Sequence, residues 1–129
     1  MIEFLSGILC FKEPQHIVID VSGVGYGLDV PASTFERLPE VGERVALHCY
    51  FYLRENELQL FGFLTPEERA VFEIFINTSG IGPKTSLGIL SSVPIGEFAR
   101  AVTENDLAAL MRIPGVGRKT AERLVVELR

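Results

Sequence analysis

Apolar residues alternate with polar ones along the first half of the chain and recur at helical spacing along the second, with the change of period after Phe63. A period of two puts successive side chains on opposite faces of a strand, whereas a helix brings residues three and four apart onto one face. Five segments carry the strand pattern: Ile2 to Phe11, Gln15 to Val21, Gly25 to Val30, Arg44 to Leu53 and Leu58 to Phe63, separated by glycine, proline and short charged stretches. Ser33 to Leu38 reads as one or two helical turns between the third and fourth. Beyond Phe63, Thr65-Pro66-Glu67-Glu68 combines a capping box with proline at the first helical position and starts a helix reaching about Asn77. Further helices are predicted from Pro83 to about Leu90, where Ser91-Ser92 interrupts, and from Ile95 to Val102. A Thr103-x-x-Asp106 cap opens another to about Arg112, and the last runs from Gly117 to the chain end.

This order of elements predicts an α+β chain, all-β and then all-α. Residues 1–63 should form a five-stranded, partly open barrel of the OB type, with another small antiparallel barrel or sandwich as the alternative. Residues 64–129 should form a separate helical domain. At 129 residues, 47% of them apolar, the chain can bury a real core in one domain or in two small ones. No apolar stretch is long enough to span a bilayer, and the N-terminus lacks the pattern of a signal peptide, so a cytoplasmic protein without a membrane partner is expected.

Cys10 and Cys49 both fall in apolar runs and are expected to be buried thiols in a reducing compartment. With His16 and His48 they lack the ligand spacing of a Cys2His2 site, and His48 and Cys49 are strand neighbours facing opposite ways. No metal and no cofactor is expected. Tyr50, Phe51 and Tyr52 alternate between faces with hardly any lysine or arginine interleaved, which fits core or a subunit interface better than a base-stacking platform.

Charge separates the halves further. Residues 1–63 carry four basic and nine acidic side chains, a balance of −5, whereas residues 64–129 carry eight of each. The helical half is therefore not repelled by a polyanion as a body, and the first half is. In the neutral half one motif occurs twice, 35 residues apart: Gly80-Ile81-Gly82-Pro83-Lys84-Thr85 and Gly115-Val116-Gly117-Arg118-Lys119-Thr120. Each copy sits between helical patterns. Glycines let the backbone pass close to a ligand, and the helix that follows begins with amide N–H groups that have no acceptor within it. Those donors and the positive end of the helix dipole attract an anion, and Lys84 or Lys119 adds a point charge beside them. Ile81 and Val116 should plug each turn into the helix pair beneath.

Leu110 to Ala121, centred on Ile113-Pro114-Gly115-Val116-Gly117-Arg118-Lys119-Thr120, resembles the helix-hairpin-helix motif of DNA-binding proteins. The resemblance widens to the whole chain. An OB-like barrel with Gly23-Val24-Gly25-Tyr26, then Arg54-Glu55 and Leu60-Phe61-Gly62-Phe63, then two hairpins at this spacing, resembles the RuvA family of Holliday-junction-binding subunits. That resemblance implies a four-fold tetramer, or an octamer of two layers, holding a four-way DNA junction open. By matching position it implies phosphate contacts at Gly80, Gly82, Lys84, Gly115, Gly117, Arg118 and Lys119. It also implies an acidic pin at the turn that follows Arg54, formed by Glu55, Asn56 and Glu57, where the second position is neutral although the family commonly has two adjacent acids. The family also has a flexible linker and a small third helical domain that binds the ATP-driven motor RuvB; this chain stops at Arg129, whether by truncation or by disorder beyond it, so that domain is expected to be missing and the motor contact is not expected from these residues.

Two other functions compete. Helix-hairpin-helix modules also serve repair nucleases and glycosylases, but after the second hairpin only Glu122 and Glu127 remain, and Asp106 reads as a helix cap, so no catalytic role is expected. A protein-interaction scaffold would use the glycines as turns alone and leaves the repeated cation unexplained.

Overall fold

The computed structural model describes residues 1–78 and 80–128. The alternating half forms β1 (Phe4–Glu13), β2 (His16–Val21), β3 (Val24–Asp29), β4 (Arg44–Arg54) and β5 (Glu57–Phe63), with α1 (Ala32–Phe35) between β3 and β4. The strands close into a barrel in the order β1-β2-β3-β5-β4. All neighbours are antiparallel except β3 and β5, which pair in parallel at Asp29 and Phe61. That seam closes the barrel that the sequence predicts to be partly open. Inward positions on each strand supply the core: Leu5 and Leu9, Ile17 and Ile19, Leu28, Val45 and Leu47 with Cys49, and Leu60. Each fully buried aliphatic side chain contributes about 1.5–3 kcal/mol relative to exposure.

The same alternation corrects one cysteine. With Leu5, Gly7 and Leu9 facing inward, Cys10 falls on the outer face of β1 and is exposed, although its neighbours are apolar. Cys49 is buried as expected, and desolvation pushes its thiol up to about 11 despite the lowering influence of Arg69. On the outer side of the β4–β5 ladder, Tyr52 is buried and meets Phe61 edge-on with ring centroids 6.3 Å apart, while Phe51 packs against the barrel core.

The helical half comprises α2 (Pro66–Ile76), α3 (Pro83–Ser92), α4 (Ile95–Thr103), α5 (Leu107–Met111) and α6 (Arg118–Leu128). Arg129, to which the sequence extends the last helix, lies outside the described residues. Backbone contacts divide the chain into two compact units, Met1–Arg69 and Ala70–Arg129. At the start of α2 the Thr65 hydroxyl accepts the Glu68 N–H at 3.2 Å, as a cap requires. The Glu68 carboxylate accepts bonds from the hydroxyls of Thr65 and Ser33 and from the Arg37 guanidinium, so the acidic half of the box anchors the first turn to α1.

Two sequence readings of this half need correction. Ser91 and Ser92 lie inside α3, where their hydroxyls donate back to the carbonyls of Leu87 and Gly88 at 2.8 and 2.7 Å and the helix continues. Thr103 belongs to the end of α4. Asn105 adopts a left-handed φ of 54°, the Asp106 N–H donates to Ala101 O at 2.8 Å and the Asn105 N–H to Val102 O at 3.2 Å, which together close α4 with a Schellman motif. Asp106 is then itself the N-cap of α5, its Oδ1 accepting the Ala109 N–H at 3.0 Å.

That bond, followed by the Arg100 guanidinium, holds the Asp106 carboxyl below its ordinary value of 3.8. A lowered carboxylate contributes stability that is complete above the unfolded value and is lost as pH falls through the folded one. An acid titration followed by NMR should therefore move the Ala109 amide resonance with a midpoint below 3.8. A midpoint at or above that value contradicts the cap.

Candidate nucleic-acid interface

The repeated motif folds twice into the same shape. In the first hairpin the helix before the turn is α2 and the helix after it is α3; in the second they are α5 and α6. Burial repeats at the 35-residue offset: Phe75 and Leu110, Thr78 and Ile113, Ile81 and Val116, Ser86 and Ala121, Ile89 and Leu124, Leu90 and Val125 are all buried. Hydrogen bonds repeat with it. The Thr78 N–H reaches Phe75 O as the Ile113 N–H reaches Leu110 O, and the Ile81 N–H reaches Thr78 O as the Val116 N–H reaches Ile113 O. Gly80 and Gly115 open the turns at φ of 93° and 87°, a left-handed conformation that a side chain strains.

After each turn the helix presents donors outward. Gly82 caps α3 with no side-chain bond, Pro83 takes the first helical position, and the Ser86 N–H donates to Gly82 O at 3.0 Å. The amides of Lys84 and Thr85 precede that bond and point from the helix end. In the second hairpin the Ala121 N–H reaches Gly117 O at 2.9 Å, leaving the amides of Arg118, Lys119 and Thr120 in the same position. Gly80, Gly82, Lys84, Gly115, Gly117, Arg118 and Lys119 are all exposed. Arg118 is partly engaged, its Nε donating to Glu122 Oε1 at 3.1 Å.

The threonines of the motif face the opposite hairpin. A Cβ on Gly115 would lie 3.0 Å from Thr85 Cγ2, and one on Gly80 would lie 3.4 Å from Thr120 Oγ1 and 3.6 Å from Arg123 Nη1. Each turn is thus seated against the helix of the other by a near two-fold relation, which sets the separation of the two donor clusters. The sequence alone assigns no role to the repeated threonine or to Arg123, although the 35-residue alignment, extended three positions past the motif, sets Arg123 opposite Gly88.

The remaining sequence-predicted site lies at the β4–β5 hairpin. Glu55 and Asn56 form its two-residue turn, and Arg54 pairs with Glu57 across it. Glu57 shares the strand face of Tyr52 and Arg54. The Arg54 side chain lies back on the barrel, its guanidinium carbon 4.3 Å from the Tyr52 ring centroid and Nη1 2.9 Å from Leu53 O. Glu55, Asn56 and Glu57 are exposed, so the tip is acidic. Of the carboxylates near the second hairpin, Asp106 caps α5 and Glu122 pairs with Arg118.

Residues 1–62 match the family described as RuvA N terminal domain, and residues 72–129 match the family described as SAM-like helix-hairpin-helix tandem. Over all 129 residues the chain is 50% identical to the Holliday junction branch migration complex subunit RuvA of Methylibium petroleiphilum, covering 67% of that protein. Identity is 50% to the subunit of Shewanella denitrificans, with 64% of it covered, and 51% to that of Xanthomonas campestris pv. campestris, with 66% covered. The chain spans about two thirds of the length of these curated relatives.

The reciprocal seating has a measurable signature. Gly115→Ala should destabilise the chain by about 1–3 kcal/mol, from left-handed strain and from the contact with Thr85. Thr85→Ser removes the methyl that contact involves, so the double variant should lose at least about 0.5 kcal/mol less than the two single losses added together. Strictly additive losses in urea unfolding would separate Thr85 from the Gly115 turn.

Proposed function

Because the chain belongs to the RuvA family, we propose that it binds four-way (Holliday) DNA junctions by shape, independently of base sequence, as a non-catalytic subunit serving branch migration in recombination and repair. One observation carries the reading: the hairpin occurs twice with the same φ at its glycine, the same buried positions and the same outward amides, each beside a lysine. Amides and lysines recognise phosphate oxygens, which every base sequence presents alike. Gly80, Gly82 and Lys84 form one such site, and Gly115, Gly117, Arg118 and Lys119 form the other. Each site is weak by itself. A closed ring of subunits multiplies them, so that arms held by several hairpins at once stay bound although single contacts open.

The ring is a tetramer, or two stacked as an octamer. Residues 1–63 carry a net −5, which keeps phosphates off that unit except where geometry forces them near. There the turn at Glu55, Asn56 and Glu57 acts as the acidic pin, repelling backbone phosphates and parting strands at the crossover. Glu57 supplies the second carboxylate in place of the neutral Asn56, while Arg54 is held on Tyr52 and Leu53. The ATP-driven motor is a RuvB-type partner.

Competition decides between a junction clamp and a generic duplex anchor. A labelled four-way junction should remain bound, as a discrete species of tetramer size, in excess duplex of the same sequence. Lys119→Glu should weaken that complex roughly tenfold, about 1.4 kcal/mol, whatever the base sequence. Equal competition by duplex would reduce the hairpins to the kind of module that repair nucleases and glycosylases carry, and a changed base preference would refute the phosphate sites.

A further inference from the structure

The two hairpins match in backbone but differ in charge. The second carries two adjacent cations, Arg118 and Lys119, at the start of α6; at the equivalent positions the first carries Pro83 and Lys84, a single cation. Beyond the motif the difference reverses. Position 123 on α6 is arginine, and its counterpart on α3 is Gly88. The near two-fold relation carries each helix across to the opposite turn, so the Arg123 side chain belongs spatially to the first hairpin. Its Nη1 lies 3.6 Å from where a Cβ on Gly80 would stand, beside Thr120 Oγ1 at 3.4 Å from the same point. A Cβ on Gly88 has nothing within 4 Å.

We propose that Arg123 is a phosphate ligand of the first hairpin, supplied across the two-fold relation by the helix of the second. With it, each hairpin holds two cations: Lys84 and Arg123 at one turn, Arg118 and Lys119 at the other. A planar guanidinium can donate two parallel bonds to one phosphate, which the ammonium of Lys84 cannot, so the exchange across the dyad adds geometric definition as well as charge. Gly80 is the residue that lets this happen, since a side chain there would meet both Thr120 and Arg123. Because Arg123 sits on one hairpin and serves the other, it also couples them: a duplex that engages the first turn touches α6 as well.

This inference rests on the phosphate reading of the hairpins, and the experiment separates the two. Salt dependence of duplex binding counts neutralised phosphates, at about −0.9 in log–log slope for each. Arg123→Gln should make the slope shallower by about 0.9, as Lys84→Gln does, with an unchanged thermal midpoint, and Arg123→Lys should restore the slope. Gly88→Arg, placed where the structure leaves room, should steepen it by a similar amount by giving the second hairpin the same crossed cation. If Lys84→Gln and Lys119→Gln flatten the slope while Arg123→Gln and Gly88→Arg leave it alone, the crossed ligand is refuted and the hairpin sites stand. Lost affinity in Arg123→Gln at an unchanged slope makes the side chain a packing element and likewise refutes it. Slopes unmoved by all four variants overturn the phosphate reading itself.

Discussion

Everything the helical unit offers to a ligand depends on two glycines held in a left-handed conformation, each with the threonine of the opposite hairpin against it. The turn at Gly80 or Gly115 reverses the chain sharply enough for the next helix to start with its amides outward, and the contacts with Thr120 and Thr85 fix one turn relative to the other. A donor cluster on a free loop would pay ordering entropy on each encounter with an anion. Here that cost is met on folding, by the burial of Ile81, Val116 and the helix positions beneath them. The edge-on contact of Phe75 with Phe98, centroids 4.9 Å apart, ties the first hairpin into the same core.

The barrel solves a different problem. Closing the sheet gives every strand a neighbour on both sides, and the inward positions are apolar, so an acidic turn can project from a rigid base. Arg54 shows how local charge is managed there: lying on Tyr52, it stabilises the hairpin while leaving the tip acidic. Residues 1–63 thus carry a net negative charge, while basic and acidic side chains balance over residues 64–129.

Much of this was legible in the sequence because it depends on local chemistry. Strand parity locates Leu9, Ile17 and Leu47 in the core, Pro66 and Thr65 mark the start of α2, and two copies of one glycine motif announce two turns. The errors fall where residue type was read without the local geometry that places it. Cys10 looks buried by composition and is exposed by parity. Ser91 and Ser92 look like a break until their hydroxyls are seen to bond back into α3. Asn105 closes one helix and Asp106 caps the next within two residues, a fusion that a single capping pattern conflates. The contacts of Thr85, Thr120 and Arg123 with the opposite turns are a different case, since a repeat written as a line does not say that each copy completes the other.

The central claim is that paired hairpins bind phosphates and nothing else of the nucleic acid. Its most direct measurement is the affinity of the 129-residue chain for duplexes of unrelated base sequence between about 50 and 200 mM salt. Neutralising about two to four phosphates predicts one common log–log slope of roughly −2 to −4, with affinities that coincide across sequences. A slope near zero, or affinities that separate by sequence at constant salt, would contradict it.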